Sequence, residues 1–372
     1  MLLSEITWGN CEILHSSSPS SNTAFKNFNN GENKKQHRVE VLRSLARKSK
    51  ALKRNFLKIL RATEDSMAEI DGADFPAYFT NPLLNLGSFW TMDWEMLPLG
   101  TTPAEGGLSG LRALRKRQQI ENLAAVFQLL MDCSGHKFPR RPKVVEFCAG
   151  SGYVALPLAA LFPNCQFVLL DMKKKSLEIA HTRIQMSGLK NVEVIHGLVQ
   201  DYSENFDIGI ALHACGEATD LTEEKCLEQK AVFILCPCCV GKVQNSNLVQ
   251  YPRSTKLRNT LKKDSYISLA KAADFGHREI EEYTEEQHLR RVCKTYVEID
   301  RNSMAAEYGY HTRLYLMIPP SATPKNDILF GWPEHINTKE LHKRSGEKIM
   351  LRPQQYLQSS GLTESNTVLS CF

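Results

Sequence analysis

Glycines and carboxylates with the spacing of a nucleotide site lie between residues 146 and 171. The segment EFCAGSG, residues 146–152, places Gly150 and Gly152 where a short apolar run meets a helical pattern. Glycine lets the backbone approach a ligand closely, and the following helix points free N–H groups into the same crevice. Asp171 ends the next apolar run, 21 residues after Gly150. A carboxylate there can accept hydrogen bonds from both ribose hydroxyls of an adenosine ligand.

Glu146 separates two classes of adenosine cofactor. Residues 150–155 read GSGYVA, so a small residue stands third, as in a turn that binds a dinucleotide pyrophosphate. Glu146, however, lies at the strand end four residues before Gly150. Its carboxylate would repel a pyrophosphate but suits the ammonium or sulfonium of S-adenosylmethionine. The alternative is that Glu146 is only a strand-end acid and Gly150 only a turn residue.

Residues 146–152 resemble the first motif of class I methyltransferases, E/D-x-x-x-G-x-G. The resemblance implies S-adenosylmethionine as cofactor, bound by this turn and by the ends of the next two strands. In that fold the third strand normally supplies a polar contact to the adenine amine, but here Leu198 occupies the position. We therefore expect backbone and apolar contacts to adenine. The expected cofactor-binding residues are Glu146, Phe147, Cys148, Ala149, Gly150, Gly152, Asp171, Met172, Leu198 and Val199.

His213 follows the fourth strand, whose end faces the methyl group in this fold, and is the candidate catalytic residue. Methyl transfer needs a positioned nucleophile and removal of its proton, and an ordinary histidine pKa near 6.5 suits a base or a substrate-orienting group. The alternative is a structural histidine. Residues 212–215, LHAC, lack the Asn/Asp-Pro-Pro-Tyr/Phe motif of many amine methyltransferases, which disfavours that reaction. Asp220 is expected to cap the following helix, with Glu223 completing a capping box.

Cysteines follow the fifth strand in the segment CPCC, residues 236–239. Cys238 could be a catalytic nucleophile, as in enzymes that methylate carbon five of a pyrimidine. Cys215 and the three cysteines of CPCC could instead hold zinc, but no C-x-x-C pair is present. Simple packing of a tight loop is the third interpretation and the one we favour, so no metal site is expected.

The elements that must position these residues alternate between strand and helix. Apolar runs at 143–149, 165–171, 192–197, 206–214 and 231–237 predict parallel strands, and runs at 293–300 and 310–318 predict two more. The fold class is α/β, a Rossmann-like doubly wound seven-stranded sheet with a helical N-terminal extension. The connection between the last two strands is short for a parallel crossover, so we expect the strand at 310–318 to be antiparallel.

Charge divides the 372-residue chain unevenly, although its formal net charge is +5. Residues 34–61 hold eleven Lys and Arg and one Glu, a net of +10, which leaves −5 for the remainder. This segment and a cluster in the next helix could bind RNA phosphates, or could be solvated or docked helical faces. We expect residues 1–33 to be disordered, 34–110 to form a basic helix and loops, 111–318 the methyltransferase domain, and 319–372 a loose tail. The helix cluster comprises Arg112, Arg115, Lys116 and Arg117.

Over roughly residues 93–318 the chain resembles the methyltransferase-like region of the glutathione S-transferase C-terminal domain-containing family of animals. The matching motifs are DWEMLPLGTTPAEGGLSG, EFCAGSG, ALHACGEATD and CPCC. The residues before them are too few for a complete transferase-like helical domain, so glutathione chemistry is not expected. More loosely, the H-x-C-G-x-x-T-D and Cys-Cys loops resemble a branch that includes a tRNA 2′-O-methyltransferase family.

These features predict an S-adenosylmethionine-dependent methyltransferase with an RNA, tRNA-like, substrate. The alternatives are a protein or small-molecule substrate, or a non-catalytic scaffold that binds the cofactor. No apolar run reaches the ~18–20 residues of a membrane helix. The eleven cysteines, odd in number and without a secretory signal, favour a reducing, cytoplasmic location. The sequence leaves the oligomeric state undetermined.

Overall fold

The computed structural model describes residues 78–79, 81–85, 92–134, 137–138, 141–243, 248–274, 285–336, 339–346 and 348–349. The predicted disordered segment 1–33, the basic segment 34–61 and residues 350–372 lie outside the described residues.

A mixed sheet carries the site. Five parallel strands follow the predicted apolar runs: β2 (Lys143–Phe147), β3 (Gln166–Asp171), β4 (Val192–His196), β5 (Ile208–Leu212) and β6 (Val232–Cys236). Two further full-length strands are β7 (Tyr310–Leu316) and β8 (Asp327–Pro333). Their order is β4-β3-β2-β5-β6-β8-β7, which confirms the Rossmann-like seven-stranded sheet with an antiparallel last strand. Beyond β7, the two-residue strands β1 (Tyr78–Phe79) and β9 (Lys348–Ile349) extend the edge.

Helices connect the strands and cover the sheet. Their bounds are α1 (Pro82–Asn85), α2 (Gly110–Ser134), α3 (Ala155–Leu161), α4 (Lys174–Ser187), α5 (Glu217–Gln229), α6 (Thr255–Thr260), α7 (Lys263–Ala272), α8 (Glu285–Glu307) and α9 (Lys339–Arg344). None of the helices in the described part of the chain is long and apolar enough to cross a membrane.

Both faces of the sheet are buried, which explains why its central strands read as continuous apolar runs. The neighbouring residues Val144 and Val145 of β2 are both fully buried, yet they belong to different core clusters. Successive side chains of a strand point to opposite faces, so these two clusters are the two sides of the sheet. A parallel sheet covered on both faces is expected to show this pattern.

The strand predicted at 293–300 is wrong, because these residues form the middle of α8. The buried residues Val292, Tyr296 and Val297 recur at helical spacing. In the same stretch, Lys294 and Glu298 are buried one helical turn apart and form an ion pair of 2.6 Å. A single turn of helix brings these two charges together, whereas alternation along a strand would not.

The identity of the antiparallel strand also differs from the prediction. Residues 310–318 were expected to supply it, but β7 runs in the same direction as β6 because each pairs antiparallel with β8. Helix α8 supplies the long crossover that a parallel β7 requires. The antiparallel strand is β8, which enters the sheet between β6 and β7.

Residues 319–372 were expected to be a loose tail, and for 327–333 this is wrong. All seven residues of β8 are buried. Its Gly331 lies against the Phe233 ring of β6, where an added Cβ would come within 2.1 Å of the ring. The sheet is therefore completed inside the predicted tail, and the domain extends at least to Pro333.

Candidate active site

The glycine-rich turn between β2 and α3 gives its two glycines different tasks. Gly150 has a φ of 58°, and a Cβ added there would meet nothing within 4 Å. Gly152 has a φ of 77°, but an added Cβ would lie 2.5 Å from the Leu169 side chain of β3. Gly152 therefore serves the packing of the turn on the sheet, and Gly150 is the position that leaves open space for a ligand.

Asp171 fixes the turn from the end of β3. One carboxylate oxygen accepts the Gly150 N–H at 2.8 Å and the other accepts the Lys173 N–H at 2.8 Å. A carboxylate offers about four lone-pair positions, so each oxygen keeps one for a ligand hydroxyl. The position fits the predicted ribose contact.

Glu146 lies behind the turn rather than on its open side. It is only 3% exposed, and its carboxylate accepts the Ala155 N–H at the start of α3 at 2.7 Å. Burial raises the pKa of Glu146 to about 7, opposed by the Ala155 and Val154 N–H groups and by Arg183 and Lys116. Glu146 therefore holds the start of α3, and its contact with a cationic ligand stays a prediction.

The remaining residues that we predicted to bind the cofactor differ in how far their side chains are exposed to solvent. Phe147 is fully buried and packs its ring against Tyr202 and Phe206, so only its backbone can touch a ligand. Met172 and Leu198, by contrast, are exposed apolar side chains beyond the ends of β3 and β4. They suit the face of an adenine ring. Ala149 and Val199 are buried, and Cys148 is half-buried.

Arg183 is a positioning residue that the sequence did not reveal. Its guanidinium is buried and donates to the carbonyl oxygens of Gly100 (2.7 Å) and Ser151 (2.6 Å). It thereby ties the loop before α2 to the glycine-rich turn. Tyr153 adds a second tie from its hydroxyl to the Gly106 carbonyl at 2.5 Å. This loop lies within residues 34–110, for which we expected only a basic helix and loops.

His213 lies beyond the end of β5 in a left-handed conformation, with a φ of 68°. Its ring Nε2 is 2.8 Å from Oε1 of Gln119 on α2. The Gln119 amide nitrogen donates to the Ala322 carbonyl at 2.8 Å, which assigns the amide orientation and makes Oε1 the acceptor. His213 therefore carries its proton on Nε2 and keeps the Nδ1 lone pair. Lys116 donates to the same Gln119 oxygen at 3.0 Å.

Lys116, Gln119 and His213 form a polar set at the end of β5, and burial lowers the pKa values of two of its members. Burial lowers the pKa of His213 to about 3, and the positive charges of Lys116 and Lys325 add to the effect. Burial also lowers the pKa of Lys116 to about 8, against the opposing influence of Cys236 and Glu146. His213 is thus neutral at physiological pH and a weak base, contrary to the ordinary pKa expected from sequence, while Lys116 titrates near neutrality.

The predicted basic cluster on α2 does not form one surface. Lys116 joins the polar set with His213, and its Nζ lies 5.7 Å from the centre of the Tyr153 ring. Arg117 stacks over Trp94 at 5.3 Å. Arg112 is exposed and Arg115 half-buried. Arg112, in the first turn of α2, is the exposed member of the cluster, and Lys116 belongs to the site instead.

Three cysteines converge beside His213, from the loops after β5 and β6. The sulfur of Cys238 lies 3.3 Å from that of Cys215 and 3.5 Å from that of Cys239. Cys236 does not belong to this group of three, since it is buried and donates to the Lys325 carbonyl at 3.6 Å. Gly216 lets the loops meet: its φ is 60°, and an added Cβ would lie 2.8 Å from the Lys242 carbonyl oxygen.

The geometry argues against Cys238 as the nucleophile. Cys238 is buried, and its hydrogen bond with Cys215 raises its pKa, as burial does. Cys215 is exposed, and its hydrogen bond with Cys238 lowers its pKa to about 6 against the effect of burial, helped by Cys239, Lys242 and Lys325. Cys215 is therefore the most acidic thiol of the group.

Asp220 is not the cap that the sequence suggested. Helix α5 already begins at Glu217, so Asp220 lies inside it and is fully buried. Arg301 of α8 donates to both of its oxygens, at 2.8 and 3.0 Å, and the Tyr251 hydroxyl donates at 2.8 Å. Asp220 therefore anchors α5 to α8.

Comparison with known proteins agrees with this reading of the fold. A family described as a methyltransferase domain matches residues 115–246. The chain is 37% identical over 244 residues to the glutathione S-transferase C-terminal domain-containing protein of Mus musculus, covering 66% of this chain and 37% of that protein. The homologous Drosophila melanogaster protein is 35% identical over 245 residues, covering 64% of this chain and 40% of that protein. The chain thus spans about two fifths of these relatives.

Shorter and more distant matches were also found. The ribosomal RNA small subunit methyltransferase G of a Thermoanaerobacter strain is 31% identical over 81 residues, covering 20% of this chain and 34% of that protein. Among solved structures, magnesium protoporphyrin IX methyltransferase from Synechocystis aligns over 61% of this chain and 86% of that one, at a TM-score of 0.37 and 13% identity.

The open turn at Gly150, the lone pairs of Asp171 and the exposed Met172 and Leu198 fit S-adenosylmethionine, the cofactor of this kind of domain. The predicted resemblance is confirmed: residues 115–246 match a methyltransferase domain, and the sheet that they help to build is Rossmann-like.

Proposed function

We propose that this protein is an active class I methyltransferase that methylates a hydroxyl oxygen of RNA. The observation that carries the proposal is the polar set at the end of β5, in which Lys116 and His213 share the Gln119 oxygen. Strand β5 pairs directly with β2, whose end leads into the open turn at Gly150. A nucleophile held by the polar set would therefore face a cofactor held by the turn.

The two titratable groups of the polar set would divide the work. When bound, S-adenosylmethionine supplies the methyl group that the nucleophile attacks in line. His213 is neutral, and its Nδ1 can accept the hydrogen bond of the substrate hydroxyl and orient it. Lys116, with a pKa of about 8, is neutral in part of the molecules near pH 7–8 and can take the proton.

RNA is favoured as substrate by charge and by one relative. The segment 34–61 carries a net +10, and Arg112 at the start of α2 is exposed. Such groups neutralise phosphates with little sequence preference. The matched Thermoanaerobacter protein is named as a methyltransferase of ribosomal RNA. Cys165, Cys226 and Cys236 are free thiols, in keeping with action in a reducing, cytoplasmic compartment.

A scaffold that binds the cofactor without catalysis is the second candidate. The low pKa of His213 favours it, because a histidine of pKa about 3 is a poor proton acceptor. The two candidates differ at Lys116, which the reaction requires and a scaffold does not.

Transfer of labelled methyl groups to fractionated cell extract tests the proposal. We expect label in a fraction that RNase degrades and protease spares, and loss of transfer in Lys116→Met. Lys190→Met, which changes an exposed lysine of the same domain, is the matched control. Label that only protease removes would replace RNA by a protein substrate. No transfer to any fraction, together with intact cofactor binding, would support the scaffold.

A further inference from the structure

The three-cysteine group formed by Cys215, Cys238 and Cys239 has a geometry that thiol packing does not require. All three sulfurs lie within 4.8 Å of one another. Tetrahedral zinc binds thiolates at about 2.3 Å, which places neighbouring sulfurs about 3.8 Å apart. The distances of 3.3 and 3.5 Å from Cys238 to its two neighbours are close to this value.

Other cysteines of the domain show what packing alone looks like. Cys165 and Cys226 are each buried singly in the core, and Cys236 donates to a carbonyl. The three-cysteine group instead gathers side chains from two loops that are 23 residues apart in sequence. Its members come together beyond the carboxyl ends of the central strands β5 and β6, where Cys215 is exposed.

The loops that carry the sulfurs are held in place by backbone hydrogen bonds. The Cys239 carbonyl accepts the N–H of Gly216 at 3.1 Å and that of Lys242 at 3.1 Å. The first of these bonds joins the two loops directly. The group is therefore preorganised, so an ion that enters it need not order the chain.

Positive charge near the three-cysteine group would favour a zinc ion bound by its thiolates. Zinc with three thiolates carries a net charge of about −1. Lys242 and Lys325 lie near enough to act on the Cys215 sulfur electrostatically, so both would offset that charge.

We infer that Cys215, Cys238 and Cys239 form a zinc site with one position open to solvent. Among the described residues the group has three ligands, and three protein ligands with an exchangeable fourth are typical of zinc sites that bind water or substrate. This departs from the sequence expectation of packing without metal. The site adjoins His213, so a substrate atom bound at the fourth position would lie beside the polar set.

Metal content of the full chain tests this inference. The protein, with any affinity tag removed, is purified without chelator after growth with zinc. Plasma mass spectrometry should find about one zinc ion per chain. Cys215→Ser and Cys238→Ala should each lower zinc at least about fivefold, whereas Cys165→Ala, the matched buried control, should retain it. Because Cys215 is exposed, its variant is expected to fold, and circular dichroism checks this for every variant.

Cobalt gives an independent readout. Cobalt(II) in place of zinc should produce the thiolate charge-transfer absorption in wild type and Cys165→Ala but not in Cys215→Ser. Zinc below about one fifth of an ion per folded wild-type chain would overturn the inference. So would equal zinc in wild type and Cys215→Ser, or a Cys215–Cys238 disulfide in protein kept under reducing conditions. None of these readouts depends on methyl transfer, so they stand apart from the proposed function.

Discussion

The domain holds polar groups in two regions, one buried and one half-buried, that are built on different principles. In the first, which we call the ion-pair network, Asp220, Lys294, Glu298, Arg301 and Asp327 link α5, α8 and β8. Every one of these charges has an opposite charge within 2.8 Å. In the second, the polar set of Lys116, Gln119 and His213, two bases share one amide oxygen, and burial rather than a partner charge sets their pKa values.

This difference distinguishes polar groups that stabilise the fold from polar groups that can take part in a reaction. Paired buried charges stay ionised and hold elements in register, and removing one member leaves its partner charged and buried. Bases whose pKa is lowered by burial keep a neutral, titratable form that can handle a proton. The two regions should therefore respond oppositely to substitution: the ion-pair network in stability, the polar set in activity.

The largest expected effect is on stability, in the ion-pair network. Asp220→Ala leaves Arg301 and Arg253 without their shared carboxylate, so we expect the free energy of unfolding to fall by about 3–5 kcal/mol. Chemical denaturation measures it. Glu204→Ala, which breaks the partly exposed Lys143–Glu204 pair, is the control and should cost less than about 1 kcal/mol. Equal losses in the two variants would remove the distinction between the regions.

The next effect is on activity, in the polar set. Lys116→Arg keeps the positive charge but not a neutral form at pH 8, so we expect the methyl-transfer rate to fall about 10²–10⁴-fold. In wild type the rate should rise with pH up to about 8, as Lys116 loses its proton. The variant should lack this rise, while its unfolding transition stays close to that of wild type. A fully active Lys116→Arg would show that Lys116 takes no proton.

A smaller effect distinguishes the two glycines of the turn. Gly152→Ala must place a methyl group 2.5 Å from Leu169 and also strain the backbone, so we expect a loss of about 1–3 kcal/mol in unfolding free energy. Gly150→Ala meets no neighbour and should lose about 1 kcal/mol from strain alone. Cofactor affinity should fall for Gly150→Ala in protein that remains folded. The reverse ranking of stability would contradict the assignment of the two glycines.

The smallest effect is a pH dependence at the edge of the ion-pair network. Glu223 is fully buried, and among the described residues neither carboxylate oxygen has a hydrogen-bond partner. Burial raises its pKa to about 8, opposed by Arg253 and aided by Asp220. Between about pH 4.5 and 8 the folded state binds more protons than the unfolded state, so stability should decrease as pH rises. Denaturation curves of Glu223→Gln should show a flatter pH dependence than wild type, and an unchanged slope would contradict this.

The sequence predicted the elements whose pattern is local. Strands β2 to β6 are short apolar runs because both faces of the sheet are covered, and the turn after β2 carries its glycines in order. Helix α8 was not predicted because its buried charges, such as Lys294 and Glu298, interrupt the apolar pattern of a helix. Strand β8 was not predicted because two prolines and a polar segment precede it.

The site was predictable in part for the same reason. Asp171 ends a strand, and Gly150 and His213 follow strand ends, which the sequence pattern shows. Gln119 acts across 94 residues and Arg183 across 83, so their roles arise only from the tertiary fold. The zinc ligands lacked a recognisable spacing because Cys215 joins from a separate loop.

Calorimetric titration with S-adenosylhomocysteine tests most directly the central claim that the open turn beside the polar set holds an S-adenosyl cofactor. We expect wild type to bind about one equivalent and Asp171→Ala to bind roughly 10–100-fold more weakly, since the variant loses both the ribose acceptor and the contact that fixes Gly150. NAD should give no heat of binding. Binding of NAD without S-adenosylhomocysteine, or equal affinity in wild type and Asp171→Ala, would contradict the account.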